Sequence, residues 1–123
     1  MKAILINPHE ETITEVDYSG NYKEIYSFID CRTFDCVRLT PHEDMYIDDE
    51  GLLINNQRYF RMLEIGANYG GKALLLSHDD EGETKATNWT LQDVKSMVEF
   101  LPEGHIEQPY MEFVALWHSI KMK

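Results

Sequence analysis

The chain has 123 residues, of which 43% are hydrophobic, and it carries a formal net charge of -11 at pH 7. This length fits one domain and leaves no room for two, and the apolar fraction excludes wholesale disorder. Because proteins that bind DNA or RNA normally need a basic face to displace counterions, the charge also argues against direct nucleic-acid binding.

The first third of the chain predicts two strands and a helix. The apolar run Lys2–Asn7 indicates a buried strand that ends at Pro8, and the segment Thr12–Tyr18 indicates an edge strand that can pair with it as a loose hairpin. A helix follows, with Asn21 as its N-cap. Its apolar residues are spaced i, i+3, i+4 and i+7: Tyr22, Ile25, Tyr26 and Ile29.

The middle of the chain predicts further strands separated by acidic turns. Phe34–Thr40 indicates a strand that ends before a proline. Met45–Ile47 and Leu52–Ile54 flank the acidic segment Asp48–Gly51. This arrangement predicts a hairpin whose turn needs the positive φ that Gly51 can adopt.

The next segments predict a central strand and a second helix. Residues 57–71 have weak periodicity and indicate a short strand plus a loop, whereas Lys72–Ser77 is an apolar run typical of a strand covered on both faces. After a second acidic turn, His78–Gly82, residues 83–88 return as a strand. Thr90 then begins a helix whose first turn contains Asp93. Its predicted apolar face consists of Leu91, Val94, Val98 and Leu101.

The C-terminal segment is the most strongly amphipathic part of the chain. It begins at Pro109 and its apolar residues follow helical spacing: Tyr110, Phe113, Val114, Trp117 and Ile120. We expect this helix to pack on its own domain. The alternative is a docking surface, for a partner or in a homodimer, with contacts from Tyr110, Phe113 and Trp117.

Together these elements predict the fold class. We expect a single α+β domain over residues 1–123, with a mostly antiparallel sheet, one early helix and two C-terminal helices.

Several segments of the chain resemble a family of small proteins described only as a domain of unknown function, found in phages and in bacterial genomes with mobile elements. The resemblance covers about residues 1–101, and the helix of residues 103–123 is an addition to it. It implies a phage or mobile-element setting and no activity. The segments that carry it are Met1–Pro8, Phe34–Leu39, Met45–Leu52, Asn56–Arg58, Gly71–Glu83 and Thr90–Leu91.

Cysteine usage and hydropathy predict the compartment. Cys31 and Cys36 have no second pair to complete a zinc site or a disulfide framework, so we interpret them as free thiols in a reducing cytoplasm. The apolar run near the N-terminus is too short for a signal peptide, and no segment approaches the roughly 20 apolar residues of a membrane span. With the resemblance, this predicts the cytoplasm of a bacterial host and no membrane partner.

The polar residues contain no catalytic signature, and they predict no bound metal and no cofactor. No two of the five histidines, at positions 9, 42, 78, 105 and 118, are spaced as a helical metal pair. We interpret each as structural or solvated, with a metal or general-base role as the alternative; His78 has the densest acidic neighbourhood. Asn68–Lys72 resembles a phosphate loop only faintly, because a strand follows it instead of a helix.

The acidic turns carry the functional hypothesis. Surplus acid can serve solubility, mimic a nucleic-acid backbone or bind a divalent cation, and the sequence leaves these open. We expect a non-enzymatic binding protein that inhibits a host defence or nucleic-acid-handling protein by contacting its basic surface. The alternative is a protein or enzyme that binds a nucleotide-like, phosphorylated small molecule. The predicted partner-binding residues are Asp48, Asp49, Glu50, Asp79, Asp80 and Glu81.

Overall fold

The protein is described here by a computed structural model that covers residues 1–107, so the predicted helix at residues 109–123 lies outside the described residues. The described part contains nine strands and two α-helices. In chain order the elements are β1 (Lys2–Asn7), β2 (Thr12–Asp17), α1 (Lys23–Ile29), β3 (Phe34–Arg38), β4 (Glu43–Asp48), β5 (Tyr59–Met62), β6 (Ala67–Gly70), β7 (Ala73–His78), β8 (Thr84–Lys85), α2 (Leu91–Met97) and β9 (Val98–Phe100).

The larger sheet is antiparallel throughout and has the strand order β2-β1-β7-β4-β3, with β8 paired to the end of β7. β7 lies at its centre, and Leu75 is paired with Ile4 on one side and Met45 on the other. The predictions of a central apolar strand and of a β1–β2 hairpin are therefore confirmed.

The two faces of the larger sheet are buried by different layers. On one face, α1 packs Ile25 and Ile29 against Leu74 and Leu76 of β7. On the other face, a second sheet with the order β6-β5-β9 packs together with α2. Successive side chains of a strand point to opposite faces, so the alternation along each strand decides which layer a residue meets. The fold is a mostly antiparallel α+β domain, as the sequence predicts.

The N-cap predicted for α1 is displaced by one residue, whereas the cap predicted for α2 is confirmed. Tyr22 occupies the N-cap position of α1 and makes no side-chain cap; Asn21, the predicted N-cap, lies one residue earlier and accepts a hydrogen bond from the backbone N–H of Lys23 at 3.1 Å. At α2 the Thr90 hydroxyl accepts from the N–H of Asp93, and the Asp93 carboxylate accepts from the N–H of Thr90. This reciprocal capping box satisfies two amides that a helix start leaves unpaired.

The predicted hairpin around Asp48–Gly51 is wrong. β4 pairs with β3 and β7, and Gly51–Leu53 form a 3-10 turn instead of a returning strand. Leu53 and Ile54 are exposed, so the apolar run that suggested a strand does not enter the core. Gly51 is also not among the residues with positive φ, whereas Gly82, in the second acidic turn, has φ of 84°.

The prediction of two C-terminal helices is not borne out. α2 ends at Met97, and Val98–Phe100 form a strand that pairs with β5. Val98 and Leu101 are buried, as expected, but not through the face of a helix. The weakly periodic residues 57–71 contain two strands, β5 and β6, where one short strand was predicted. In the described residues, no helix has both the length and the apolarity needed to cross a membrane.

Candidate functional site

A polar pocket of about 470 Å³ opens on the α1 face of the larger sheet. It lies at the end of the sheet where β3 leads into β4 and β7 into β8. α1 covers the neighbouring apolar part of this face and leaves the polar end open. Strand alternation brings the lining side chains to one face: Cys36, Arg38, Asp44, Tyr46, His78 and Thr84.

A buried carboxylate–imidazole pair forms the centre of this pocket. Asp44 Oδ2 lies 2.6 Å from His78 Nδ1, and the two side chains are only 7% and 14% exposed. Because a carboxylate only accepts, Nδ1 carries the proton and Nε2 is the ring nitrogen left for other contacts. Arg38 Nε lies 3.9 Å from the other Asp44 oxygen, at the exposed rim.

A second histidine–carboxylate pair closes the same end of the sheet. His42 Nε2 lies 2.9 Å from Asp80 Oδ1, and the centroids of the His42 and His78 rings are 5.6 Å apart. The backbone N–H of His78 and the hydroxyl of Ser77 both donate to the His42 carbonyl, at 2.9 and 2.7 Å. The β3–β4 and β7–β8 connections are thus joined directly beside the pocket.

The thiol and the phenol of the pocket are held in their neutral forms. Partial desolvation, followed by the charge of Asp44, raises the pKa of the Cys36 thiol. Burial raises the pKa of Tyr46 to about 12. A reactive cysteine needs a lowered pKa, so this environment does not activate Cys36 as a nucleophile. Among residues 1–107, no three His, Cys, Asp or Glu side chains are grouped to hold a metal ion.

The acidic turn after β7 stands next to this pocket, but its residues have different roles. Asp79 Oδ1 accepts from the backbone N–H groups of Glu81 and Glu83, at 3.0 and 2.9 Å. The hydrogen bond with Glu83 is the main reason why the pKa of Asp79 is lowered. Asp79 therefore shapes the turn, whereas Asp80 and Glu81 are exposed and available to a partner.

The other predicted acidic turn lies at the opposite end of the sheet. β4 runs from Asp44 beside the pocket to Asp48, and the four residue steps between them span roughly 13 Å. Asp48 is buried and accepts from the N–H of Glu50, while Glu50 pairs with Arg32 at 2.7 Å. Of the three predicted contacts here, Asp49 is the exposed one. The structure therefore does not bring the two turns together.

The remaining sequence candidates are not part of this pocket. Gly71 and Lys72 precede β7, and the Lys72 ammonium pairs with Asp30, so this segment does not open a helix as a phosphate loop does. The predicted docking residues Tyr110, Phe113 and Trp117 lie outside the described residues.

Sequence reasoning missed Asp44, Arg38, Cys36, Tyr46 and Thr84 as pocket residues. The one signal available in the sequence was the pair of adjacent acids Glu43 and Asp44, which directly precedes the apolar run Met45–Ile47. In the structure both acids belong to β4 and are buried. His78 and Asp44 are 34 residues apart, so only the pairing of β4 with β7 shows that they meet.

Fold and site define an acidic α+β domain with a polar pocket at one end of its central sheet. The chain belongs to the family described as "Domain of unknown function (DUF3846)", whose model matches residues 1–99. The resemblance predicted over about residues 1–101 is confirmed. No curated protein and no solved structure matches the chain.

Proposed function

We propose that this protein is a non-enzymatic binding protein that recognises a basic surface of a partner protein with the pocket end of its larger sheet. One observation carries the proposal: the exposed carboxylates of the β7–β8 turn stand directly beside a pocket that contains a buried carboxylate. Asp80 is 94% exposed, and Asp44 is 7% exposed. Asp80 pairs with His42, whose ring centroid lies 5.6 Å from that of His78, the partner of Asp44.

The balance of charge at this end of the sheet supports a cationic partner. Arg38 and Lys85 are the permanent cations here; Lys85 Nζ lies 3.8 and 3.7 Å from carboxylate oxygens of Asp79 and Glu83. They are outnumbered by the carboxylates of this end: Asp44, Asp79, Asp80, Glu81 and Glu83. Such an arrangement attracts a basic surface and repels the phosphate groups of a nucleotide.

We further propose that the chain derives from a phage or mobile element and acts in the cytoplasm of a bacterial host, where its partner is a defence or nucleic-acid-handling protein. Such partners present basic surfaces that contact nucleic-acid phosphates, and a chain with a net charge of -11 is suited to occupy them.

Neutralising the β7–β8 turn should slow association with the partner. We expect Asp80→Asn, Glu81→Gln and Glu83→Gln together to lower the association rate about tenfold at low salt and to flatten its salt dependence, because charge steering acts on encounter. The effect should shrink as the Debye length falls to about 8 Å at physiological salt. Affinity capture from host lysate with salt-graded elution supplies the partner, and surface plasmon resonance gives the rates.

A matched variant separates local recognition from total charge. Glu15→Gln, Glu64→Gln and Glu103→Gln remove the same charge from exposed positions away from the pocket and from both acidic turns and should change the association rate less than twofold. Equal loss in both variants would show that only net charge matters. An unchanged rate in both would leave solubility as the reason for the acid. A nucleotide that raises the melting temperature by several degrees without a partner would favour the small-molecule alternative.

A further inference from the structure

In the described part of the chain, the larger sheet ends in β2 on one side and in β3 on the other. At β2, the Tyr18 N–H donates to the Met1 carbonyl at 2.8 Å, and the Met1 amine donates to the Tyr18 carbonyl at 2.7 Å. Along an antiparallel strand, residues that bond the neighbouring strand alternate with residues whose N–H and C=O point the other way. The outward-facing residues of β2 are therefore Ile13, Glu15 and Asp17.

The two edges differ in how they are protected against another strand. On β3 the N–H of Leu39 donates to β4, so by the same alternation Cys36 faces outward. The Asp35 side chain accepts from the outward N–H of Cys36 at 2.8 Å and so occupies a donor that an added strand would need. On β2, none of the outward N–H and C=O groups has a hydrogen-bond partner within residues 1–107. Its six residues also contain no bulge, proline or lysine, which are common protections of an edge.

The side chains along β2 define what kind of strand could be added. Glu15 and Asp17 are exposed on one face, and Thr14 and Val16 alternate with them on the other. Residues of an added strand that lie opposite the two acids would have their Cβ atoms about 5 Å from those of β2, where opposite charges stabilise the pair. β-Branched residues suit the positions beside Thr14 and Val16. The edge thus fits an extended segment in which basic and β-branched residues alternate.

We propose that β2 is a strand-addition site for an extended, basic segment of a partner protein. The backbone groups of β2 supply the hydrogen bonds, and its two carboxylates select lysine or arginine at alternate positions of the segment. No residue of the polar pocket belongs to β1 or β2, so this surface is separate from the one to which the function above is assigned.

Charge disfavours a second copy of the chain as the occupant. Antiparallel pairing of two β2 strands about Glu15 would place the two Glu15 carboxylates directly opposite each other. Pairing about Val16 would place Glu15 opposite Asp17. Like charges in these positions are destabilising, and the net charge of -11 on each chain adds to the repulsion.

The test uses the full chain and a blocked heptapeptide in which three lysines alternate with valine and threonine. In an added antiparallel strand the lysines lie opposite the outward-facing residues of β2, so the lysine amides point at β2. Methylation of the three lysine amides removes these donors, whereas methylation of three intervening amides leaves them and keeps the same charge. We expect the lysine-methylated peptide to bind at least about tenfold more weakly than the other, a difference of about 1.4 kcal/mol.

Backbone amide shifts measured by NMR during the titration locate the peptide. The largest shifts should occur at Ile13, Glu15 and Asp17, and the peptide should protect these amides from hydrogen exchange. Glu15→Gln with Asp17→Asn should weaken binding of the unmethylated peptide about fivefold, because two opposite-charge pairs are lost. The matched variant, Glu64→Gln with Glu103→Gln, removes the same charge from exposed positions elsewhere and should change the affinity less than about twofold.

Four results would overturn the proposal. Equal affinity of the two methylated peptides would show that charge alone attracts them. Shifts confined to the β7–β8 turn would place the peptide at the pocket end and would favour only the function proposed above. No shift in β2 at millimolar peptide would show that the edge does not accept a strand. Slow exchange of the Ile13 and Glu15 amides in the free protein would show that the edge is already covered, by a second copy if light scattering reports a dimer.

Discussion

Gly51→Ala should lower the free energy of unfolding by about 3 kcal/mol or more, at the upper end of what overpacking normally costs. A Cβ atom at position 51 would lie 2.2 Å from the carbonyl oxygen of Gly70 and 3.1 Å from its carbon. The contact is reciprocal, since a Cβ at Gly70 would lie 2.4 Å from the oxygen of Gly51. Both obstacles are backbone atoms, which cannot rotate away as a side chain can.

The Gly51 turn has little freedom to shift. The Gln57 side chain is buried and donates from Nε2 to the Gly51 carbonyl at 2.9 Å, which ties the 3-10 turn to the start of the smaller sheet. Moving the turn away from Gly70 would break this hydrogen bond or displace β6. Urea unfolding followed by circular dichroism measures the loss as a lower midpoint.

Gly82→Ala is the informative control for this prediction. Gly82 has φ of 84° and nothing within 4 Å of a Cβ, so Ala there meets backbone strain but no steric clash. Strain of that kind costs roughly 1–2 kcal/mol. If Gly51→Ala were no more damaging than Gly82→Ala, the close approach of the two glycine backbones would not be what constrains position 51.

These two glycines show where sequence reasoning succeeds and where it stops. Each ends the same motif, Asp-Asp-Glu-Gly, and the same interpretation applies to both. It is correct for Gly82, because the positive φ is a local property of its turn. It is wrong for Gly51, whose constraint comes from Gly70, nineteen positions along the chain and brought near by the tertiary fold.

Strand pairing is the part of the fold that local patterns could not supply. β1, β7 and the start of α2 follow from apolar periodicity and capping residues, which act over a few neighbours. The partners of β4 depend on long-range packing instead. Asp44 lies opposite Leu76 of β7, and His78 is two residues further along β7 on the same face. Local sequence patterns could therefore not predict the pocket, because it forms only when β4 pairs with β7.

The end of α2 has a similar explanation. Leu91, Val94, Val98 and Leu101 fit helical spacing, and Val98–Phe100 fits the alternation of a strand equally well. Pairing with β5 decides for the strand, because Phe100 and Val98 lie opposite Phe60 and Met62. Hydrogen bonding to β5 thus outweighs the continuation of a short helix.

The second large effect is expected at Glu43, which is 4% exposed and lies on the face of β4 opposite Asp44. Its carboxylate accepts from the Thr87 hydroxyl at 2.9 Å and from the backbone N–H of Asn88 at 2.8 Å. These two hydrogen bonds hold the connection between β8 and α2 against the strand that carries Asp44. Glu43 can therefore help to position the strand that carries Asp44, although it does not line the pocket itself.

Glu43→Ala should lower the free energy of unfolding by about 3 kcal/mol. Hydrogen bonds to a charged group contribute about 1.5–3 kcal/mol each, and part of this is offset because a buried carboxylate is itself costly to desolvate. Glu43→Gln, which keeps an acceptor oxygen and the shape, should lose less than half as much. Urea unfolding of both variants gives the two values directly.

A double-mutant cycle with Thr87→Val assigns the loss to the contact itself. Thr87 is 3% exposed, so its hydroxyl has no ready access to water when the carboxylate is removed. If the Glu43–Thr87 hydrogen bond carries the effect, Glu43→Ala should cost at least about 1 kcal/mol less in the Thr87→Val background than in the wild type. Strictly additive losses would mean that the two groups are not coupled, and the connection to α2 would then owe its position to the packing of Val94 and Trp89. We expect the coupled result, because Glu43→Ala removes the acceptor and Thr87→Val removes the donor of the same hydrogen bond.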